Sequence, residues 1–252
     1  LIERIKPFCH VVTKEQAMPY LPPRVFEKII VEPTPEQRKI MIDLKDLFRA
    51  EHKGAELEVS TVLERLMRYQ QIVGGHFPIG NGMVVPMDSN PKMKALSDFV
   101  DTIPDNEKVT IWARFVPEIH AIHKMLCEKF GSSTIAVKFW GDDLNIKREA
   151  TEAIQNGKAR FIISSQQSGG KGQTWTETSI AIYYSNTFSL DDREQSQDRN
   201  HRKGSEKHDS VTYVDIMMNH AIDKLIVETL RRKKDMAQWV KEQLQNAQTT
   251  IP

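Results

Sequence analysis

ARFIISSQQSGGKGQTW runs from Ala159 to Trp175, followed by SIAIYYS from Ser179, QSQDRNHRKG from Gln195 and SVTYVDI from Ser210. Phe161, Ile162 and Ile163 form a short apolar run closed by serines and a Gly-rich turn, the pattern of a strand buried on both faces. The same pattern recurs upstream in KVTIWARF (Lys108 to Phe115) and STIAVKFW (Ser133 to Trp140). Helical stretches lie between these runs: Asn90-Pro91 through Val100, Pro117 to Phe130, Asp142 to Asn156, and Leu190 to Asn200. Short apolar strands alternating with amphipathic helices predict an α/β fold, a mainly parallel sheet covered by helices on both faces. Ligands of such sheets bind at the carboxyl ends of the strands. The loops after Ser165, Ser185 and Ile216 are therefore where chemistry is expected.

Upstream, RVFEKIIVE (Arg24 to Glu32) reads as a strand held extended by Pro22-Pro23. Thr34-Pro35 then supplies an N-cap and a first-turn proline. The helix they start is expected to reach about Glu51, burying Ile40, Met41, Leu44 and Leu47. A second helix is expected from Glu58 to about Ile72, starting near Ser60-Thr61 and packing Val62, Leu63, Leu66 and Met67. Gly74 to Pro91, rich in Gly and Pro, is expected to be a surface loop separating this region from the sheet. Beyond the last strand, Asn219 to Ala247 reads as one long or broken helix.

Composition sets the outer bounds. Lys and Arg number 35 against 34 Asp and Glu, a net charge of +1 in 252 residues, which excludes a polybasic nucleic-acid coat or an acidic tail. Cys9 and Cys127, the only two cysteines, are too few for a disulfide framework or a cysteine-rich zinc site, and fit a reducing cytoplasm. The uncharged run in Tyr69 to Met87 is broken by glycines and prolines, so no membrane span is expected. LIERIKPFCH is charged within its apolar stretch and does not read as a signal peptide. A chain that starts at Leu1 rather than Met reads as a piece of something larger.

Several motifs fail. Lys171 is followed by Gly172 rather than Ser or Thr, so there is no GxxxxGK[ST] phosphate loop, and GxGxxG fails at Trp175 and at Val85. Nor does an acidic pair stand beside a hydrophobic strand to hold magnesium. His120 and His123 lack the further ligands a zinc site needs and read as surface or half-buried helix residues, with Cys127 as core on the same helix. No GxSxG nucleophile signature is present. Arg231 to Lys234 reads as a solvated face. What survives is a Gly-Gly-Lys-Gly loop after a buried strand, and two readings fit it: a flexible turn, or a loop offering N–H groups to an anion. Gln195, Asp198, Arg199 and Arg202 recur at i, i+3, i+4 and i+7, placing two guanidiniums on one helix face with a carboxylate and an amide. Either that face is merely solvated, or its planar forks bind phosphate.

Taken in order, these segments resemble the C-terminal RecA-like lobe of Swi/Snf-type superfamily-two helicases, ATP-driven DNA translocases, particularly compact phage and bacterial forms. The resemblance spans nearly the whole chain. Leu21-Pro22-Pro23-Arg24 with Thr34-Pro35-Glu36-Gln37 resembles the segment just past the first lobe, and Lys108 to Phe115 resembles motif IV. Gly141 with Arg148, then Asn156-Gly157, resemble the GxxxxxxR and Phe-x-Asn-Gly stretch. Ser165 to Thr174 resembles motif V (STxAGGxGxxL) and Gln195 to Gly204 motif VI (QAxDRxHRxGQ). Gln166, Ser168, Trp175 and Ser205 depart from the pattern, and Gln166 puts a motif V hydroxyl contact to DNA in question.

The resemblance implies a three-layer RecA-like domain with a mainly parallel sheet, preceded by a smaller, mostly helical region. Residues 1–90 would be an inter-lobe segment with a strand and helical protrusion, 91–218 the lobe, and 219–252 a helical extension. It implies ATP with Mg2+, held mainly by an N-terminal lobe that carries the phosphate loop and acidic box. Gly170, Gly172, Gln195, Asp198, Arg199 and Arg202 would face ATP, with Arg202 as arginine finger, Arg199 as its partner, and Gln195 and Asp198 orienting them. Ser165, Gly169, Lys171 and Arg114 would contact double-stranded DNA without sequence preference. A prokaryotic or phage-infected cytoplasm is implied, and this chain alone would not hydrolyse ATP. The competing class is a non-catalytic α/β module binding nucleic acid or protein. A Rossmann-like transferase is disfavoured because Arg114 and Phe115, not an acidic residue, follow the first lobe strand.

Overall fold

Apolar side chains set the layers. The computed structural model describes residues 12–46, 49–59, 61–80, 82–169, 172–220 and 222–233. Its main sheet has six strands: β1 (Arg24–Val31), β6 (Lys108–Trp112), β7 (Ala136–Phe139), β8 (Phe161–Ser164), β9 (Thr178–Tyr183) and β10 (Val211–Met218). They lie in the order β1-β10-β9-β6-β8-β7, all parallel. Alternate residues face opposite ways. Val109, Ile111, Phe161, Ile163, Ile182 and Ile216 bury one face under α4 (Pro91–Thr102) and α5 (Val116–Lys129). Trp112, Ile162, Ala181, Tyr183 and Tyr213 line the other, toward α6 (Leu144–Gln155) and α8 (Leu190–Asn200). This is the three-layer RecA-like α/β arrangement that the sequence predicts. Asn90, Asp143 and Ser189 cap α4, α6 and α8 by accepting from first-turn N–H groups.

The region before the lobe differs from expectation in three ways. First, β1 is the edge of the main sheet, registered on β10 from Arg24↔Val211 to Val31↔Met218, so the expected boundary at residue 90 does not separate it from the lobe. Second, α2 (Pro35–Asp46) stops before Glu51, and β2 (Arg49–His52) pairs with β3 (Ala55–Glu58) through a turn with positive φ at Lys53 and Gly54. Ala50 and His52 are buried while Arg49 and Glu51 are exposed, a period of two that wins over the helical pattern. Third, the expected surface loop is a hairpin of β4 (His76–Gly80) and β5 (Met83–Pro86), with Phe77 fully buried. The region is thus helices plus hairpins. Its α3 (Val62–Val73) starts at Thr61, whose hydroxyl accepts from Glu64 N. Ile40, Leu44, Ile72 and Phe77 share a core with Met218 at the end of β10 and with Ile222, Ile226 and Leu230 of a helix over residues 222–233 (α9). The expected continuation of that helix to Ala247 lies outside the described residues. Among the described residues no helix is long and apolar enough to cross a membrane.

Candidate functional site

β8 ends at Ser164, and the chain must return to the start of β9 at Thr178 to keep the strands parallel. Ser165 opens that crossover by accepting from Ser168 N at 3.1 Å, which starts the single turn α7 (Gln166–Gly169). Gln166 is buried, and its Oε1 accepts from Thr187 N at 3.0 Å, tying the loop after β8 to the loop after β9. A buried side chain cannot be a surface contact, so the position in question for DNA is a brace between loops. Gly169 is also buried. Its Cα sits where a Cβ would lie 2.6 Å from Ser164 Oγ and from Trp175 Cη2, so its contribution is close approach rather than an exposed contact. Gly170 and Lys171 lie outside the described residues. Gly172 adopts φ +75, a left-handed conformation, with open space around it.

Past Gly172 the crossover meets α8. Trp175 N donates to Arg199 O at 3.0 Å, and the Trp175 ring packs 5.3 Å from that of Trp112. Arg199 Nη1 donates to the Gln173 carbonyl at 2.7 Å and Arg202 Nη1 donates to the same oxygen at 3.3 Å. The two arginines therefore converge, but not by sharing a helix face. α8 ends at Asn200, His201 caps it with φ −110 and ψ 78, and Arg202 returns toward Arg199 through the following turn. Gln195 acts through its main chain, its carbonyl accepting from Arg199 Nε at 3.1 Å. Asp198 pairs with Lys14 at 2.5 Å. Burial holds the Arg199 guanidinium below its ordinary pKa, the nearby Arg202 cation adds to this, and Asp198 opposes it.

The arginines also sit at an unexpected end of the sheet. Although α8 leaves the carboxyl end of β9, it runs back to where the strands begin. Asn200 Nδ2 donates to Thr110 Oγ1 at 3.0 Å, and His201 Nε2 donates to the Pro22 carbonyl at 2.8 Å, just before β1. Ser165 and Arg114 remain at the carboxyl ends, so the crossover from 165 to 177 links two separate places. Arg114 is half-buried; its N–H donates to Ser185 Oγ at 2.7 Å and its guanidinium to Gln70 Oε1 of α3.

Sequence reasoning missed the inner face of α8. Arg193, Ser196, Gln197 and Asn200 are buried at i, i+3, i+4 and i+7, so this helix packs on the sheet through polar groups. Arg193 forks onto Asp215 at 2.8 and 2.9 Å and lies 3.3 Å above the Tyr183 ring. The signal was available: a helix without apolar periodicity that must nonetheless cover a sheet has to pair its polar side chains. Among the described residues no three His, Cys, Asp or Glu side chains gather as a metal site would require. His120 is exposed and His123 half-buried, and Cys127 is half-buried with Sγ 3.7 Å from His123 Nε2.

The fold is that of the C-terminal domains of SWI2/SNF2 ATPases. The crystal structure of the C-terminal part of the Fun30 ATPase domain is similar at a TM-score of 0.62 and 17% identity, over 83% of this chain and 90% of that one. The Sulfolobus solfataricus SWI2/SNF2 ATPase C-terminal domain is similar at 0.58 and 16%, over 84% and 86%. The ATPase core of that Sulfolobus protein in complex with dsDNA is similar at 0.62 and 17%, over 84% of this chain but 45% of that chain. No family model matches the sequence, and the curated proteins give no match.

Proposed function

We propose that this chain is the C-terminal lobe of an ATP-dependent DNA translocase or helicase, working with an N-terminal lobe that binds the nucleotide and its Mg2+. The carrying observation is the convergence of Arg199 and Arg202 on the Gln173 carbonyl. Two guanidiniums held together by neutral acceptors fit a polyphosphate, whose charge they would complement. The donors suited to Mg2+ are not gathered among the described residues, so in this reading the ion is held by the other lobe. ATP bound there supplies the phosphoanhydride to be cleaved. Arg202, exposed, would stabilise charge developing on the transferred phosphoryl group, and Arg199 would position it. Gln195 fixes Arg199 through its carbonyl, Asp198 acts on it electrostatically, and Gly170 and Gly172 shape the adjoining loop. Ser165, Lys171 and Arg114 would meet the DNA backbone, with Gly169 giving the loop its close seat on the tryptophans.

The test is Arg202→Ala in a protein carrying both lobes. The expected result is a fall in kcat of about a thousandfold with ATP and DNA affinity nearly unchanged, because a finger acts on the transition state. Near-normal kcat sinks the assignment. The isolated chain is expected to release no phosphate from ATP. A second reading, a binding module without catalysis, differs in its DNA behaviour. The translocase lobe should bind unrelated duplexes equally and lose affinity as salt rises, since phosphate contacts carry no base information. Tight binding of one sequence that persists at high salt favours the module.

A further inference from the structure

Lys14 is remote in sequence from both loops, yet its ammonium reaches the end of α8. It donates to Asp198 Oδ1 at 2.5 Å and to the His201 carbonyl. Beside it His201 Nε2 donates to the Pro22 carbonyl at 2.8 Å. Residues 14–22 thus grip 198–201 at three points, with Arg199 inside the gripped segment and Arg202 immediately after it. The lysine is itself fixed. It opens the short helix α1 (Lys14–Ala17), where Thr13 Oγ1 accepts from Gln16 N and Gln16 Oε1 accepts from Thr13 N at 2.9 Å. Glu15 of that turn pairs with Arg24 at the start of β1 at 2.8 Å. A cation is well placed at this spot, because the last carbonyls of α8 carry partial negative charge.

We infer that Lys14 is a positioning residue for the arginine pair: by occupying Asp198 and the His201 carbonyl, it keeps the Asp198 carboxylate from drawing the arginines away from a phosphate. This rests on the reading of Arg199 and Arg202 as phosphate-binding. Asp198 already favours the charged form of Arg199, against burial and against Arg202. A carboxylate released from Lys14 therefore has a guanidinium beside it to capture. The segment that delivers Lys14 precedes β1, so a shift of residues 13–23 against the sheet would switch the pair between presented and quenched.

The experiment measures ATPase kcat, KM and separate nucleotide affinity for Lys14→Met, Lys14→Arg, Asp198→Asn and Lys14→Met/Asp198→Asn in a protein carrying both lobes. Lys14→Met should lower kcat about tenfold or more while nucleotide affinity stays within about threefold. Lys14→Arg keeps donors for both acceptors and should retain kcat within about threefold. The double variant should recover at least about half of the Lys14→Met loss on a logarithmic scale, because the quenching carboxylate is gone. A merely structural ion pair gives no such recovery. Normal kcat in Lys14→Met, or a double variant no better than Lys14→Met, overturns the inference. Lys14→Gln takes the place of Lys14→Met in the same cycle if the latter does not fold by circular dichroism. Should Arg202→Ala also keep its kcat, the arginine reading fails first; Arg202→Ala inactive beside Lys14→Met normal removes only the role of Lys14.

Discussion

Gly169 and Gly172 stand three residues apart and answer to different constraints. At Gly169 a methyl group would press on Ser164 Oγ, on Trp175 Cη2 and, at 2.8 Å, on Trp112 Cζ3. Two of these neighbours are buried indoles packed on each other, which cannot swing aside. Gly169→Ala is therefore expected to cost about 1–3 kcal/mol as overpacking. Gly172→Ala meets nothing but places a Cβ at φ +75, costing about 1–2 kcal/mol. Urea unfolding of the two variants checks both values, and an undiminished midpoint in Gly169→Ala refutes the packing account. The run Gly169 to Gly172 was legible in the sequence as a site of close backbone approach. Which glycine needs space and which needs conformation was not, since spacing carries no information about the third dimension. Arg199 and Arg202 were legible as a pair for the same reason that their geometry was misjudged: the i, i+3 spacing holds whether the second residue ends a helix or lies beyond it. Lys14 gave no local signal at all, because its partners are near the other end of the chain.

α8 shows how an element can be read correctly and understood only in part. Its limits, Leu190 to Asn200, follow from the Ser189 cap, the acidic first turn and the arginine in the last. Its packing does not follow, because the buried face carries Arg193 and amides instead of leucines. Removing one member of the Arg193–Asp215 pair strands a charge beneath the helix. Asp215→Ala is thus expected to destabilise by about 3–5 kcal/mol. Replacing Arg193 and Asp215 together by apolar residues of similar size should cost much less, since no charge is then left unpaired. Chemical denaturation of the single and double variants distinguishes the two outcomes. The lobe strands were legible because parallel strands buried on both faces are short apolar runs. The hairpins β2–β3 and β4–β5 were not, because half-buried strands of four or five residues containing Gly and Pro resemble loops.

At the scale of the molecule, one buried carboxyl joins the regions. Glu118 of α5 has Oε2 bonded to Ser185 Oγ at 2.5 Å and to Phe115 N at 3.1 Å, while Oε1 faces the backbone of Gly74 at the end of α3. Burial pushes its pKa up to about 7, against the pull of Ser185 and Lys92. The folded state holds this proton more tightly than the unfolded state, whose carboxyl titrates near 4.5. The stability that Glu118 contributes is therefore fully present below pH 4.5 and is lost as the pH rises through about 7, a change of about 3 kcal/mol. His76 and His201 act in the opposite sense. Burial lowers both, so their contribution is present above the ordinary histidine value of 6.5 and is lost as the pH falls below it. Glu118→Gln should remove only the first slope, leaving a stability profile that rises more steeply with pH than that of the wild type; parallel profiles would contradict the shift. The edge strand has a different kind of consequence. β1 comes early in the chain but hydrogen-bonds to β10, the last strand, and its Phe26 and Ile30 stay largely exposed even when docked, at 52% and 61%. During synthesis from the N-terminus these residues leave the ribosome long before their partner exists. Until Val211 to Met218 emerge, the nascent chain presents an unpaired apolar strand, and its fate depends on chaperone occupancy and on the pace of translation.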